Sequence, residues 1–173
     1  MKKIAIIIAE KNFRDEEFFE TKSILEKQDC KLSVFSNKKG LAIGSFGGEV
    51  MVNQDLSELN VSDFDALLFV GGVGAMEYLD NDLSYQLIRK ANQENKIVSA
   101  ICIAPLILLR AGILKQKKAT VWSSDLDKST IKELKEKGAI FVNKKAVSDK
   151  NIVTANGPTA IKEFCEEILK CLN

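Results

Sequence analysis

The sequence predicts an α/β fold in which helices cover both faces of a mostly parallel sheet. Short apolar runs rich in β-branched residues alternate with longer amphipathic segments, and this order is typical of βαβ units. Several of the runs are apolar throughout, as in strands buried on both faces. The 173 residues contain no linker, repeat or low-complexity tract. We therefore expect a single domain over residues 1–173.

The predicted elements follow one another in a regular order. Strands are predicted at residues 3–9, 31–36, 65–70, 97–101, 118–122, 140–142, 146–147 and 151–154. Helices are predicted at residues 14–28, 82–93, 104–111, 128–137 and 159–172. Residues 42–52 contain several glycines and predict a small hairpin outside the sheet. Ligands of parallel sheets bind beyond the carboxyl ends of the strands, which directs the search to the turns after Ala9, Val70, Ile101 and Thr154.

Composition and charge exclude several kinds of partner. The chain has 25 basic and 24 acidic residues and a formal charge of +1, without a basic stripe, so we expect no nucleic acid and no membrane partner. Glu10 and Lys11 interrupt the first apolar run, which indicates a buried strand rather than a signal peptide. No apolar stretch is long enough to span a bilayer. We expect a cytoplasmic protein.

The cysteines and the missing histidine restrict the possible chemistry. The four cysteines, Cys30, Cys102, Cys165 and Cys171, match no zinc-binding spacing, so we expect reduced thiols, no metal and no other cofactor. The chain contains no histidine, which excludes Ser-His-Asp and Cys-His catalysis within it. Any general base must be a carboxylate, a lysine, a thiolate, a tyrosine or a bound water.

Cys102 is the principal candidate for a reactive residue. It lies between the predicted strand that ends at Ile101 and a helix opened by Pro105, where a nucleophile elbow carries its serine. Unpaired N–H groups at the start of that helix, and its partial positive charge, favour a thiolate. The alternative is a buried cysteine with a packing role only.

An acidic cluster after the first strand offers a possible proton donor. Asp15, Glu16 and Glu17 fall in the first turn of a predicted helix, where acids often serve only the helix dipole and face solvent. Glu17 is followed by Phe18 and Phe19. In apolar surroundings its carboxyl would have a raised pKa, stay protonated and donate a hydrogen bond to a thiolate.

Two turns at strand ends are further candidates. The turn from Gly71 to Gly74 begins like a dinucleotide fingerprint, but Glu77 stands where the third glycine belongs. Alternatively, a backbone N–H in this turn lines an oxyanion pocket shared with Cys102. The turn formed by Asn156, Gly157 and Pro158 either ends the last strand or shapes the same pocket.

Four stretches together resemble the DJ-1/ThiJ/PfpI superfamily, which is class I glutamine amidotransferase-like. They are Phe13-Arg14-Asp15-Glu16-Glu17, Phe69-Val70-Gly71-Gly72, Ala100-Ile101-Cys102-Ile103-Ala104-Pro105 and Thr154-Ala155-Asn156-Gly157-Pro158. Their order and approximate spacing agree with the superfamily, and the resemblance runs nearly end to end. It implies a flavodoxin-like three-layer sandwich that forms a homodimer.

The resemblance also implies a particular site. Cys102 would be a nucleophilic, easily oxidised cysteine beside a protonated Glu17, and Gly72 and Ile103 would supply backbone N–H donors to an oxyanion. The expected pocket is completed by Gly71, Trp122, Asn156, Gly157 and Pro158.

This sequence departs from the superfamily pattern at three positions. Many members have histidine directly after the cysteine, where this chain has Ile103. Others have a histidine on the strand after the elbow helix, near Trp122, and the DJ-1 branch often has arginine at the position of Asn156. The missing histidines argue against peptidase activity, and they argue against aldehyde chemistry that needs a histidine.

Several functions remain open at this point. In the first, Cys102 attacks a small reactive carbonyl and Glu17 shuttles the protons, as in glyoxalase or deglycase chemistry, without a cofactor. In the second, the protein is a non-enzymatic sensor of oxidative stress, or a protective protein, through oxidation of Cys102. A PfpI-type cysteine peptidase is the weaker alternative. A chaperone-like role through a dimer surface has no clear apolar stripe to support it.

Overall fold

The computed structural model describes residues 1–173 and contains a central seven-stranded sheet. The strands are β1 (Lys3–Ile8), β2 (Lys11–Phe13), β3 (Lys31–Ser36), β4 (Gly40–Gly44), β5 (Glu49–Val52), β6 (Gln54–Asp55), β7 (Ala66–Phe69), β8 (Ile97–Ile101), β9 (Lys118–Ala119), β10 (Ile140–Phe141), β11 (Ala146–Asp149) and β12 (Ile152–Ala155). The helices are α1 (Asp15–Glu26), α2 (Asp82–Gln93), α3 (Pro105–Arg110), α4 (Ser129–Glu136) and α5 (Ile161–Leu172).

The central sheet is parallel except at one edge. Its strand order is β11-β12-β8-β7-β1-β3-β6, and only β11 runs antiparallel to its neighbour. The carboxyl ends of β1, β7, β8 and β12 therefore lie along one edge, as the sequence predicts. The candidate site is built at this edge.

Each face of the sheet carries its own hydrophobic core. Along β1, Ile4, Ile6 and Ile8 pack with α1 and α5 on one face, whereas Ala5 and Ile7 pack with α2 and α3 on the other. All five side chains are fully buried. This double burial explains why the run is apolar at every position. None of the helices combines the length and the apolar character needed to cross a membrane.

Some elements differ from the sequence predictions because tertiary contacts determine them. The predicted strand 118–122 is only Lys118–Ala119, which pairs with β10 outside the central sheet. The predicted hairpin forms as β4 and β5, but β4 also pairs with a strand that the pattern does not indicate, β2. Strands of two or three residues form only through pairing with another strand, so the local sequence does not predict them.

Candidate active site

Cys102 occupies a sharp turn between β8 and α3. Its φ of 64° lies in the left-handed region, which a side chain with a Cβ adopts only at a cost. Hydrogen bonds hold the turn on both sides. The Cys102 N–H donates to the Ala155 carbonyl at 2.9 Å, and its carbonyl accepts from the Trp122 N–H at 2.8 Å. The first helical residue, Pro105, needs no N–H partner there.

The carboxyl of Glu17 lies beneath this turn. Glu17 belongs to the first turn of α1 and is fully buried. Its Oε2 accepts a hydrogen bond from the Gly71 N–H at 2.9 Å, while its Oε1 makes no hydrogen bond of ordinary geometry. Burial raises the pKa of Glu17 from 4.5 to about 7, and the Cys102 thiol, the Gly71 N–H and the Arg14 charge act in the opposite direction.

Gly71 and Gly72 occupy places where no side chain fits. A Cβ on Gly71 would lie 2.6 Å from Cβ of Cys102 and 2.7 Å from Oε2 of Glu17, so these two side chains meet at Gly71. Gly72 has a φ of 97°, and a Cβ there would lie 2.6 Å from the Arg14 nitrogen. The strand-end glycines therefore bring the start of α1 close to the cysteine turn.

The sulfur of Cys102 experiences opposing electrostatic influences. Burial, and next the negative charge of Glu17, raise the pKa of the Cys102 thiol to about 12. The backbone N–H groups of Gly72 and Ile103 lower it. The sequence interpretation expected N–H groups at a helix start to favour the thiolate. They act in that direction, but burial and Glu17 outweigh them, so the sulfur of Cys102 stays a protonated thiol at neutral pH.

A cavity of about 370 Å³ opens above the sulfur. Its lining includes four residues that the sequence singled out: Cys102, Gly72, Ile103 and Trp122. It also includes four that sequence reasoning missed: Arg14, Ser45, Val73 and Met76. Gly71 lies below the cavity, between Cys102 and Glu17. Most of the lining is apolar, which suits a small organic molecule.

The turn at residues 156–158 does not line this cavity. The Asn156 N–H donates to the Lys145 carbonyl at 2.9 Å, and Pro158 opens a short 3-10 turn. A Cβ on Gly157 would lie 3.7 Å from Cδ1 of Trp122. The expected pocket role of Asn156, Gly157 and Pro158 is therefore corrected, because none of the three lines the cavity and Gly157 lies beside the Trp122 ring.

The missed residues differ in how visible they are in the sequence. Val73 and Met76 belong to the glycine-containing stretch after β7, so proximity to that motif could have indicated them. Ser45 comes from the hairpin, which folds back over α1. Its N–H donates to the Phe13 carbonyl at 2.9 Å. No local pattern predicts such a contact, which depends on a distant segment.

The structure favours the oxyanion interpretation of the glycine turn over dinucleotide binding. The Gly72 N–H lowers the pKa of the Cys102 thiol, as a donor directed at negative charge does. A single π-helical turn, Ala75–Leu79, follows these glycines in place of a long helix, whereas the dinucleotide fingerprint uses such a helix to hold pyrophosphate. No cluster of three or more histidine, cysteine, aspartate or glutamate side chains is arranged to hold a metal ion.

Comparison with known proteins assigns this arrangement to one family. The sequence profile of the DJ-1/PfpI family matches residues 2–171. An uncharacterised protein of Methanocaldococcus jannaschii is 40% identical over 98% of this chain and 82% of its own length. The deglycase PfpI of Pyrococcus furiosus is 28% identical over 96% of this chain and 98% of its own length.

A solved structure extends the likeness to three dimensions. The ThiJ/PfpI domain protein of Brachyspira murdochii superposes with a TM-score of 0.91 at 34% identity, over 99% of this chain and 96% of that one. The expected flavodoxin-like three-layer sandwich is thereby confirmed. With the profile match spanning almost every residue, the chain belongs to the DJ-1/PfpI family.

Proposed function

We propose that this protein is a cofactor-independent cysteine enzyme that converts small α-oxoaldehydes to α-hydroxy acids. The observation that carries the proposal is the buried Glu17 carboxyl against the Cys102 thiol, directly below a cavity of about 370 Å³. Such a carboxyl can exchange protons near neutral pH because its pKa is raised to about 7. The name of the Pyrococcus furiosus relative, a deglycase, supports chemistry on reactive carbonyls.

The first step joins the sulfur to the substrate. Sγ of Cys102 attacks the aldehyde carbon, the S–C bond forms, and the carbonyl π electrons move to the oxygen. Glu17 takes the thiol proton and transfers it to that oxygen, which gives a neutral hemithioacetal. The N–H groups of Gly72 and Ile103 lower the pKa of the Cys102 thiol and would stabilise negative charge on the neighbouring oxygen.

The second step rearranges the adduct. Glu17 removes the proton from the former aldehyde carbon and returns a proton to the neighbouring carbon. The hydroxyl proton of the adduct passes to the ketone oxygen, so the hemithioacetal becomes a thioester of the α-hydroxy acid. Water then cleaves the C–S bond, which releases the acid and restores the thiol. The reaction consumes one water and needs no external oxidant or reductant, because one carbon is oxidised while its neighbour is reduced.

The test is conversion of methylglyoxal to lactate by the purified protein. Turnover is expected in the wild type and in the control variant Cys171→Ala, since Cys171 lies on α5, outside the cavity. Cys102→Ala removes the nucleophile, and Glu17→Gln removes the proton carrier, so each is expected to lower kcat/KM by roughly 100-fold or more. Wild-type turnover no faster than that of Cys102→Ala would overturn the proposal.

A second function, oxidation sensing, is favoured by one further observation. Oε1 of Glu17 has no hydrogen bond of ordinary geometry, so the protonated carboxyl can donate one to a sulfinate formed on Cys102. After mild peroxide treatment, mass spectrometry should find Cys102 oxidised ahead of Cys30 and Cys165, which are buried. Oxidation spread evenly over the four cysteines would exclude this role.

A further inference from the structure

Arg14 supplies the one charged side chain in the lining of the cavity. The other lining residues are Ser45, Gly72, Val73, Met76, Cys102, Ile103 and Trp122. No carboxylate lines the cavity, and Glu17 lies below it. A small ligand bound against Cys102 is therefore surrounded by apolar side chains, one hydroxyl and one positive charge. An anionic group on that ligand would find its only countercharge at Arg14.

The guanidinium of Arg14 is held in place by the protein. Its Nε donates to Oε2 of Glu16 at 2.9 Å and its Nη2 to Oε1 at 3.2 Å, which leaves Nη1 available. The same group lies 4.7 Å from the centre of the Phe46 ring. The Arg14 N–H donates to the Gly71 carbonyl at 3.0 Å, which ties the residue to the cysteine site. A planar donor fixed in this way is suited to recognising a carboxylate.

We propose that Arg14 selects substrates that carry a carboxylate, so that the preferred substrate class is a short α-oxoaldehyde with an anionic tail. The aldehyde would face Cys102 while the carboxylate accepts hydrogen bonds from Arg14. This inference rests on the proposed function for the reacting end of the substrate. The recognition of the tail stands on the cavity lining and the Arg14 geometry alone.

Arg14 can still bind a ligand carboxylate although its guanidinium contacts Glu16. Both side chains of this ion pair are about one-third exposed, with 35% and 38% of their surfaces accessible. Ion pairs of this exposure are weak, because water screens them. The pair with Glu16 uses Nε and Nη2, so a carboxylate in the cavity can accept a hydrogen bond from Nη1 while that pair stays in place.

Binding is measured with a ligand that cannot react. Levulinate carries a ketone and a carboxylate but no aldehyde, and methyl levulinate is its neutral match. Trp122 is the single tryptophan of the chain and lines the cavity, so its fluorescence reports occupancy. We expect levulinate to bind more tightly than the ester, and Arg14→Gln to weaken levulinate binding about tenfold or more. Arg14→Lys should retain part of the preference.

Turnover is measured with a matched pair of substrates. Dioxovalerate is levulinate whose methyl group is oxidised to the aldehyde, and its methyl ester lacks the charge. The ratio of kcat/KM for acid over ester should exceed one in the wild type and fall about tenfold or more in Arg14→Gln. Lys22→Gln is the matched control, because Lys22 is a basic residue on α1 whose partner Glu26 lies outside the cavity.

The two measurements separate failure of this inference from failure of the proposed function. If no α-oxoaldehyde is turned over but levulinate binding depends on Arg14, the proposed function fails and tail recognition stands. If methylglyoxal is turned over but acid and ester are treated alike in both assays, the proposed function stands and this inference is wrong. Equal acid-to-ester ratios of kcat/KM in the wild type, Arg14→Gln and Lys22→Gln would likewise overturn the inference.

Discussion

Three consecutive acids at the start of α1 contact three different parts of the site. Asp15 holds the hairpin whose Ser45 lines the cavity, Glu16 holds Arg14, and Glu17 lies against Cys102. Successive residues of a helix point about 100° apart, which follows from its 3.6 residues per turn. Side chains adjacent in sequence can therefore serve unrelated neighbours. The apolar residue after Glu17 indicates which acid is buried, but nothing local assigns the other two.

At this scale the buried carboxyl of Glu17 has a consequence for stability. Its pKa is 4.5 in an exposed setting and about 7 in the folded protein, because of burial. Between these values the folded state keeps a proton that the unfolded state has lost. The free energy of unfolding therefore falls as pH rises from 4.5 to 7, by about 3 kcal/mol in total from this group. It changes little above pH 7.

Glu17→Gln should remove this contribution to the pH dependence. The variant keeps an acceptor for the Gly71 N–H but has no titrating group. Urea unfolding at several pH values between 5 and 8 would compare the two slopes, so that other titrating groups cancel. The wild type should lose stability relative to the variant as pH rises. Parallel slopes would show that Glu17 titrates at its ordinary pKa in the folded protein.

At the scale of elements, the sequence predicts the strands and helices that the core requires. Residues 31–36 and 97–101 have matching bounds in prediction and structure, and so do residues 82–93. Residues 97–101 are buried throughout, and residues 82–93 have the periodicity of a helix. The short β2 and β9 lack such a pattern, since they form through pairing with β4 and β10. The cysteine turn was predictable from its strand, small residues and proline. The hairpin itself was also predictable, but its packing against Asp15 of α1 was not.

The hairpin is held over α1 by the Asp15 carboxylate. It accepts hydrogen bonds from the Phe46 N–H at 2.8 Å and the Gly48 N–H at 2.6 Å. Asp15→Asn leaves one acceptor for two donors and should reduce stability by about 1–3 kcal/mol. Hydrogen exchange of these two amides should become faster, with Glu20→Gln as a control on the exposed side of α1. Unchanged exchange in Asp15→Asn would contradict this assignment.

At the scale of the whole molecule, the sheet separates two cores that share its strands. Ile107 on α3 is fully buried in one core and Ile168 on α5 in the other. Since both helices pack on the same strands, we expect the chain to unfold in one cooperative transition, as a single domain. The two side chains nevertheless lie on opposite faces and share no core cluster.

Two conservative truncations test this arrangement. Ile107→Val and Ile168→Val each remove one buried methyl group and should cost about 0.5–1.5 kcal/mol. The double variant should lose the sum within about 0.5 kcal/mol, because the sites are on different faces. Urea unfolding followed by fluorescence and circular dichroism would measure both quantities. Two separate transitions, or strong coupling between the variants, would contradict a single unit with independent faces.

The left-handed backbone of Cys102 has a consequence for the design of inactive variants. A residue with a Cβ is less stable in this conformation than glycine, by about 1–2 kcal/mol. Alanine at this position keeps the penalty and removes only the sulfur, whereas glycine would also relieve the backbone and could raise the melting temperature. The protein thus holds the Cys102 thiol in a backbone conformation that lowers its stability, and a variant without the thiol can be more stable than the wild type.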